Sequence, residues 1–295
     1  MKNNYRVVLY LCILVSAYSL AKEYIPVFSH GFADTGWQKN NYVKEYTWLG
    51  MKYKNERYIL NEPVKTFDYP DVVYKKLVNI FKTSFGQDNE IAELKKNCDE
   101  VVPEKSEDAA ILLFGLSRGG STAINYVVTE DPQQVEVLVL ESPVGHAKNV
   151  FNHHWFIKFI AKMLWTKPDG IYNFFEKISV HDANGKHAVD LVDKIRKDIP
   201  VMFICSQEDQ SVPVDSTIEL YEKLKAAGHE KAYLLKLQKG RHSKLLFSED
   251  ADKYQNVMHA FYKKHGLPCD DELAEKGQAF FEQCQPEVGS AAQGG

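Results

Sequence analysis

The chain has 295 residues, 44% of them apolar, 12% aromatic and 26% charged, which suits a soluble protein with a buried core in one large α/β domain or two small ones. Its net charge of −4 gives no electrostatic reason to expect nucleic acid or an anionic membrane as partner.

Lys2 and Arg6 flank the start of an apolar run, Val7 to Val15, and Ser19-Leu20-Ala21 puts small residues where a signal peptidase needs them. The run is shorter than the roughly 20 residues of a bilayer-spanning helix. Residues 1–21 are therefore expected to be a cleaved export signal, with no stable membrane span and a mature chain that begins near Lys22 in the periplasm or the medium. Cys98, Cys205, Cys269 and Cys284 remain after cleavage. Cys205 ends a very apolar run and reads as a buried thiol, whereas Cys269 and Cys284 are close enough in sequence to close a local loop.

Candidate strands follow at Ile25–Ser29, Val64–Asp68, Ala109–Phe114, Glu136–Glu141, Val201–Cys205 and Ala232–Leu237. Most are nearly continuous apolar runs, as strands buried on both faces of a parallel sheet require. Helical periodicity marks Val72–Thr83, Gly119–Val128, Val189–Lys197, Ser216–Ala227 and Ala251–Lys264. The alternation specifies right-handed βαβ units, hence a doubly wound, mainly parallel sheet with helices on both faces. One insertion, 145–185, breaks the alternation; its stretch Gly145–Ser179 is loaded with Phe151, Trp155, Phe156, Phe159, Met163, Leu164, Trp165, Phe174 and Phe175. The domain is expected to occupy 22–265, with 266–295 a partly disordered tail ending in the low-complexity stretch Gly289 to Gly295.

Gly115-Leu116-Ser117-Arg118-Gly119 fits G-x-S-x-G between the strand Ile111-Leu112-Leu113-Phe114 and the helix opened by Gly119-Gly120-Ser121. A serine at that sharp turn is held in a strained backbone that small neighbours permit, and it projects its hydroxyl at a helix N-terminus that favours negative charge. Serine attack needs a base and an orienting acid. Among ten histidines, His242 lies in the loop Lys239-Gly240-Arg241-His242-Ser243 between the last strand and the last helix, and it is the candidate base. His229 falls in a turn, His259 and His265 in the terminal helix. His153 and His154 are adjacent on a helix and cannot jointly chelate a metal. Asp209, in the loop after Val201–Cys205, is the candidate acid; Glu208 beside it and Glu141 at the end of the preceding strand are rivals. Oxyanion stabilisation needs two donors, each worth on the order of 3 kcal/mol in the transition state. The amide of Arg118 is one candidate. Phe32, in the turn His30-Gly31-Phe32 after the first strand, is the other, with His30 in a structural role.

Together these segments resemble the α/β-hydrolase superfamily from about Tyr24 to His265. The resemblance rests on His30-Gly31-Phe32, Gly115-Leu116-Ser117-Arg118-Gly119-Gly120, Asp209 with Val212-Pro213, and Gly240-Arg241-His242. It implies the α/β-hydrolase fold, a catalytic set of Ser117, Asp209 and His242, an oxyanion hole of Phe32 and Arg118, and a helical cap at 145–185. The family's first two strands are missing, which implies a smaller sheet, and Ser206 stands where the acid loop often begins with Gly. The function expected is hydrolysis of a small-molecule carboxylic ester or thioester, with an apolar acyl group suited to the aromatic cap and with no cofactor or metal. Amide or peptide cleavage by the same mechanism is the nearest alternative, and a non-catalytic binding protein of the same fold is the other. Arg118 is expected to pair with a neighbouring surface acid.

Overall fold

The computed structural model describes residues 23–32, 45–48, 51–54, 59, 64–74, 77–102 and 109–284. The expected export signal, the expected start of the mature chain and the low-complexity end lie outside the described residues.

The strands are β1 (Tyr24–Ser29), β2 (Glu45–Trp48), β3 (Met51–Lys54), β4 (Lys65–Thr66), β5 (Val72–Tyr74), β6 (Leu77–Val78), β7 (Ala110–Leu116), β8 (Val135–Glu141), β9 (Val201–Ser206) and β10 (Ala232–Leu237). The helices are α1 (Asp88–Val101), α2 (Arg118–Glu130), α3 (Ala147–His153), α4 (Trp155–Met163), α5 (Pro168–Ile178), α6 (Ala188–Leu191), α7 (Val214–Ala226), α8 (Ala251–Lys264) and α9 (Asp271–Glu282). Among the described residues the main sheet has six strands in the order β10-β9-β8-β7-β1-β4, all paired in parallel.

Each strand of the sheet alternates its side chains between two cores, because successive residues point to opposite faces. Leu112, Phe114 and Leu116 pack with Met258, Phe261 and Phe281 under α8 and α9. Ile111 and Leu113 pack with Leu94, Ile124, Leu220 and Leu224 under α1, α2 and α7. From the adjacent strands β1 and β7 the chain leaves in opposite directions, toward β4 and toward β8. That reversal opens a crevice at their carboxyl ends, where open α/β sheets bind ligands.

The expected strands all form. The helix expected at Val72–Thr83 does not. Its β-branched Val72 and Val78 pair antiparallel instead, Asn79 N–H closes on the Asp71 carbonyl at 2.6 Å, and only Ile80–Lys82 makes a single 3₁₀ turn. Helix α1 was not anticipated, although Ile91, Leu94 and Cys98 line its buried face at helical spacing. The segment Val189–Lys197 divides into α6 and a 3₁₀ turn at Val192–Lys194.

The tail expected to be partly disordered contains α9. Asp270 caps it by accepting the Leu273 amide at 3.2 Å, and Ala274, Gly277 and Phe281 are buried against the body of the protein. The helix also rules out the loop-closing disulfide. Cys269 and Cys284 flank the two ends of this helix, which is roughly 18 Å long at 1.5 Å per residue, and all four described cysteines are free thiols.

A Cβ added at Gly277 would fall inside the backbone carbonyl of Asn256 on α8, so only glycine permits this approach of the two helices. Gly277→Val is expected to lower stability by about 1–3 kcal/mol through overpacking, measured as a fall in the urea midpoint at unchanged slope.

Candidate active site

Ser117 directly follows β7 and precedes α2 with φ 55° and ψ −119°, a conformation that L-residues adopt only where their surroundings enforce it. Its N–H donates to the Glu141 carbonyl at 2.8 Å, and its own carbonyl accepts from Gly120 N–H at 2.9 Å. The glycines around it serve space. A Cβ on Gly119 would strike the Ser29 carbonyl, one on Gly115 would lie 2.7 Å from Gly120 Cα, and one on Gly120 would lie 2.9 Å from Pro143 Cβ. The G-x-S-x-G-G pattern is therefore what lets β1, β7 and the turn after β8 crowd around one serine.

Asp209 and His242 meet. His242 Nδ1 donates to Asp209 Oδ2 at 2.7 Å, and the carboxylate also accepts from Ser142 Oγ at 2.8 Å, Ser211 N–H at 2.8 Å and Val212 N–H at 2.9 Å. Burial alone would raise the Asp209 pKa, but the charge and hydrogen bond of His242 and the two amides outweigh it and hold it below the ordinary carboxylate range. Such an acid remains ionised, fixes the imidazole plane and keeps its proton on Nδ1. The rival carboxylates are held elsewhere: exposed Glu208 by Lys239 Nζ at 2.8 Å and the Gly240 amide at 3.2 Å, buried Glu141 by Tyr254 Oη at 2.6 Å. Ser117, Asp209 and His242 all follow carboxyl ends of parallel strands, β7, β9 and β10. Ser142, which sequence reasoning missed, reaches Asp209 from its position just after β8.

His30 is buried and structural. Its Nδ1–H donates to the Gly31 carbonyl at 2.8 Å, and its Nε2 accepts from Tyr69 N–H at 3.2 Å. Burial, then the Arg118 cation, push its pKa down to about 3 against the opposing Gly31 hydrogen bond, so it is neutral in the folded state. Arg118 Nη2 also reaches the Gly31 carbonyl, at 3.4 Å. A carbonyl drawn inward by two donors has a fixed consequence. The trans peptide is planar, so the N–H of Phe32 points the opposite way, out of the core.

The Arg118 side chain is not at the surface. It is fully buried, 2.5 Å from Asp71 Oδ2 and 3.2 Å from Glu90 Oε1, with its guanidinium 4.7 Å above the Tyr69 ring. Glu90 gathers the amides of Ser84, Phe85 and Gly86 at 3.1, 3.2 and 2.8 Å, and Asp71 accepts from Thr83 Oγ1 at 2.7 Å. Neither acid carried a sequence signal, because an acid before a β-branched pair and one in a first helical turn are both commonplace.

The remaining histidines disperse. His229 Nε2 donates to the Arg196 carbonyl at 2.9 Å, and His259 Nδ1 accepts from the Asp270 amide at 3.1 Å. His153, at the end of α3, places Nε2 3.4 Å from the Asp209 carbonyl. No group of histidine, cysteine and acidic side chains among the described residues is arranged to hold a metal ion. The insertion α3–α5 turns Phe151, Tyr172 and Phe175 inward, where they pack with Phe85, Val144 and Val212. Val144 and Val212 adjoin Ser117 and Asp209, so the crevice is bounded on this side by an apolar wall.

Two consequences are measurable. Arg118→Met would leave two buried carboxylates uncompensated, and a loss on the order of 3–5 kcal/mol is expected, read from urea unfolding. His30 binds no proton when folded until pH falls to about 3, whereas an unfolded histidine protonates below about 6.5. The unfolded state thus binds more protons across that window, and stability falls as pH falls. From pH 6 to pH 4 the slope should be shallower in His30→Gln by about 1.4 kcal/mol per pH unit, one proton's worth.

A family model, that of the prolyl oligopeptidase family, matches residues 87–266, well over half of the chain. No curated protein sequence matches it. Among solved structures, the acylaminoacyl peptidase of Pyrococcus horikoshii superposes with a TM-score of 0.54 at 16% identity, over 82% of this chain and 37% of the peptidase. An esterase of Pyrococcus furiosus superposes with a TM-score of 0.57 at 17% identity, over 83% of each chain. The chain thus spans little more than a third of the peptidase's length, and at such identities the likeness is one of fold. With the family match running from α1 to α8, it follows that this chain belongs to the prolyl oligopeptidase family and has the α/β-hydrolase fold.

Proposed function

We propose that Ser117 is the nucleophile, His242 the general base, Asp209 the orienting acid, and that the protein hydrolyses carboxylic esters or thioesters with an apolar acyl group. The observation that carries this reading is the fully engaged Asp209 carboxylate, which holds the proton of His242 on Nδ1 and so puts the imidazole's lone pair on Nε2. That nitrogen takes the Ser117 proton as Oγ bonds to the acyl carbon. It then returns the proton to the departing alkoxide or thiolate as the ester bond breaks, leaving acyl-Ser117. Water repeats the sequence and releases the acid. The amides of Phe32 and Arg118 are the oxyanion donors in this scheme, supported by the inward-held Gly31 carbonyl and by the position of Arg118 at the first, unpaired turn of α2.

The apolar wall of Phe85, Val144, Phe151, Phe175 and Val212 supports an apolar acyl group. The insertion is then a cap whose underside forms that wall. A second reading, cleavage of amide or peptide bonds by the same residues, is favoured by the family match itself.

A fluorophosphonate probe on the wild type, Ser117→Ala and His242→Ala tests the assignment. Labelling is expected in the wild type alone; equal labelling of Ser117→Ala would place the nucleophile elsewhere. Asp209→Asn should reduce kcat by about 10⁴ by stabilising the wrong tautomer. Matched p-nitrophenyl esters and peptide p-nitroanilides then separate the two readings by their kcat/KM.

A further inference from the structure

The helical insertion has a second face that the site does not use. At the junction of α4 and α5, Met163, Leu164 and Trp165 are 64%, 63% and 98% exposed, and Phe159 and Phe174 project beside them at 53% and 62%. Phe159 and Met163 are one helical turn apart on the same outward stripe. Single exposed apolar residues are ordinary, but five on one short insertion, three of them consecutive in sequence, mark an interaction surface.

The charge around this tip is predominantly positive. Across Gly145–Ser179 there are five lysines, at 148, 158, 162, 167 and 177, against the two acids Asp169 and Glu176, so the insertion is cationic although the chain as a whole carries −4. Asp169 is engaged by Lys148 at 3.4 Å and Asn152 at 3.2 Å. Lys158, Lys162 and Lys167 are in no ion pair among the described residues. Lys162 and Lys167 bracket the apolar tip Met163-Leu164-Trp165.

Backbone geometry adds an independent observation. Helix α4 ends in a Schellman arrangement, with Thr166 N–H on the Ala161 carbonyl at 2.9 Å and Trp165 N–H on the Lys162 carbonyl at 3.3 Å. Trp165 therefore occupies the left-handed position, φ 53°, where glycine is the usual residue. The chain sustains a strained tryptophan there that makes almost no contact within the molecule.

We propose that this tip is a docking surface for an anionic phospholipid bilayer. Met163, Leu164 and Trp165 enter the boundary between headgroups and acyl chains, and Lys158, Lys162 and Lys167 lie against the phosphates. An indole at the interface, a short apolar wedge and flanking lysines are the chemistry such a surface selects. A second copy of this chain docking through the same tip would meet a like-charged face. The inference does not depend on which bond Ser117 cleaves.

Sedimentation of the full chain with phosphatidylglycerol vesicles, phosphatidylcholine vesicles and no vesicles tests it. Stronger binding to the anionic vesicles, weakened by salt, is expected. In the double variant Lys162→Glu with Lys167→Glu it should fall by more than ten-fold, since each lysine near such a surface accounts for about five-fold. Leu164→Ser with Trp165→Gly should reduce binding by a similar factor. Trp165→Gly alone should raise the melting temperature, because it relieves the left-handed strain, which separates docking from any structural role. The amino-terminal apolar segment is common to all variants, so only their differences count. Binding equal in all variants would overturn the proposal, as would self-association in the absence of lipid that the same substitutions abolish.

Discussion

A guanidinium with no access to water stands one residue after Ser117, and the geometry of the whole crevice depends on its neutralisation. Removing an ion from water costs several kcal/mol even after relaxation, and here Arg118, Asp71 and Glu90 are buried together. Hydrogen bonding makes the arrangement tolerable. Glu90 collects three consecutive amides from Ser84 to Gly86, and Arg118 divides its donors between the two acids and the Gly31 carbonyl. Each of these bonds ties a different segment to the start of α2: the turn after β1, the loop before β5 and the entry to α1. Loops that would otherwise move independently at the carboxyl edge are thereby held to one another.

The same cluster links electrostatics to peptide geometry. His30 can donate to Gly31 and accept from Tyr69 only while neutral, and its burial beside the Arg118 cation keeps it so. The Gly31 carbonyl is then fixed inward and the Phe32 amide outward. On the other side of Ser117, the turn after β8 contributes Ser142 to the Asp209 carboxylate and Pro143 to the space that Gly120 leaves. The two flanks of Ser117 are thus organised by different forces, chiefly buried charge on the β1 side and steric crowding on the β8 side.

The aromatic insertion shows how one amphipathic segment can serve two environments. Phe151, Tyr172 and Phe175 face inward on α3 and α5 and close an apolar wall with Phe85 and Val212. Phe174, offset from Phe175 by part of a turn, and Phe159 and Met163 on α4 face solvent. Aromatic content alone could not separate these roles, because the direction of each side chain is set by how the three helices pack on one another.

Local chemistry determined much of this protein in advance. Continuous apolar runs specify buried parallel strands, and all six expected ones form. The glycines around Ser117 announce a turn that admits no side chain, and the chain order of Ser117, Asp209 and His242 puts each after the carboxyl end of a strand. What the tertiary structure decided was whatever depends on partners distant in sequence. Val72–Thr83 has helical spacing, yet Asp71 is committed to Arg118 and Thr83 to Asp71, so the segment folds as a hairpin. Asp209 was distinguishable from Glu208 and Glu141 only through which groups reach each carboxylate. Asp71, Glu90 and Ser142 carry no motif at all. A side chain's burial and its hydrogen-bond partners are properties of the assembled loops, and no window of local sequence contains them.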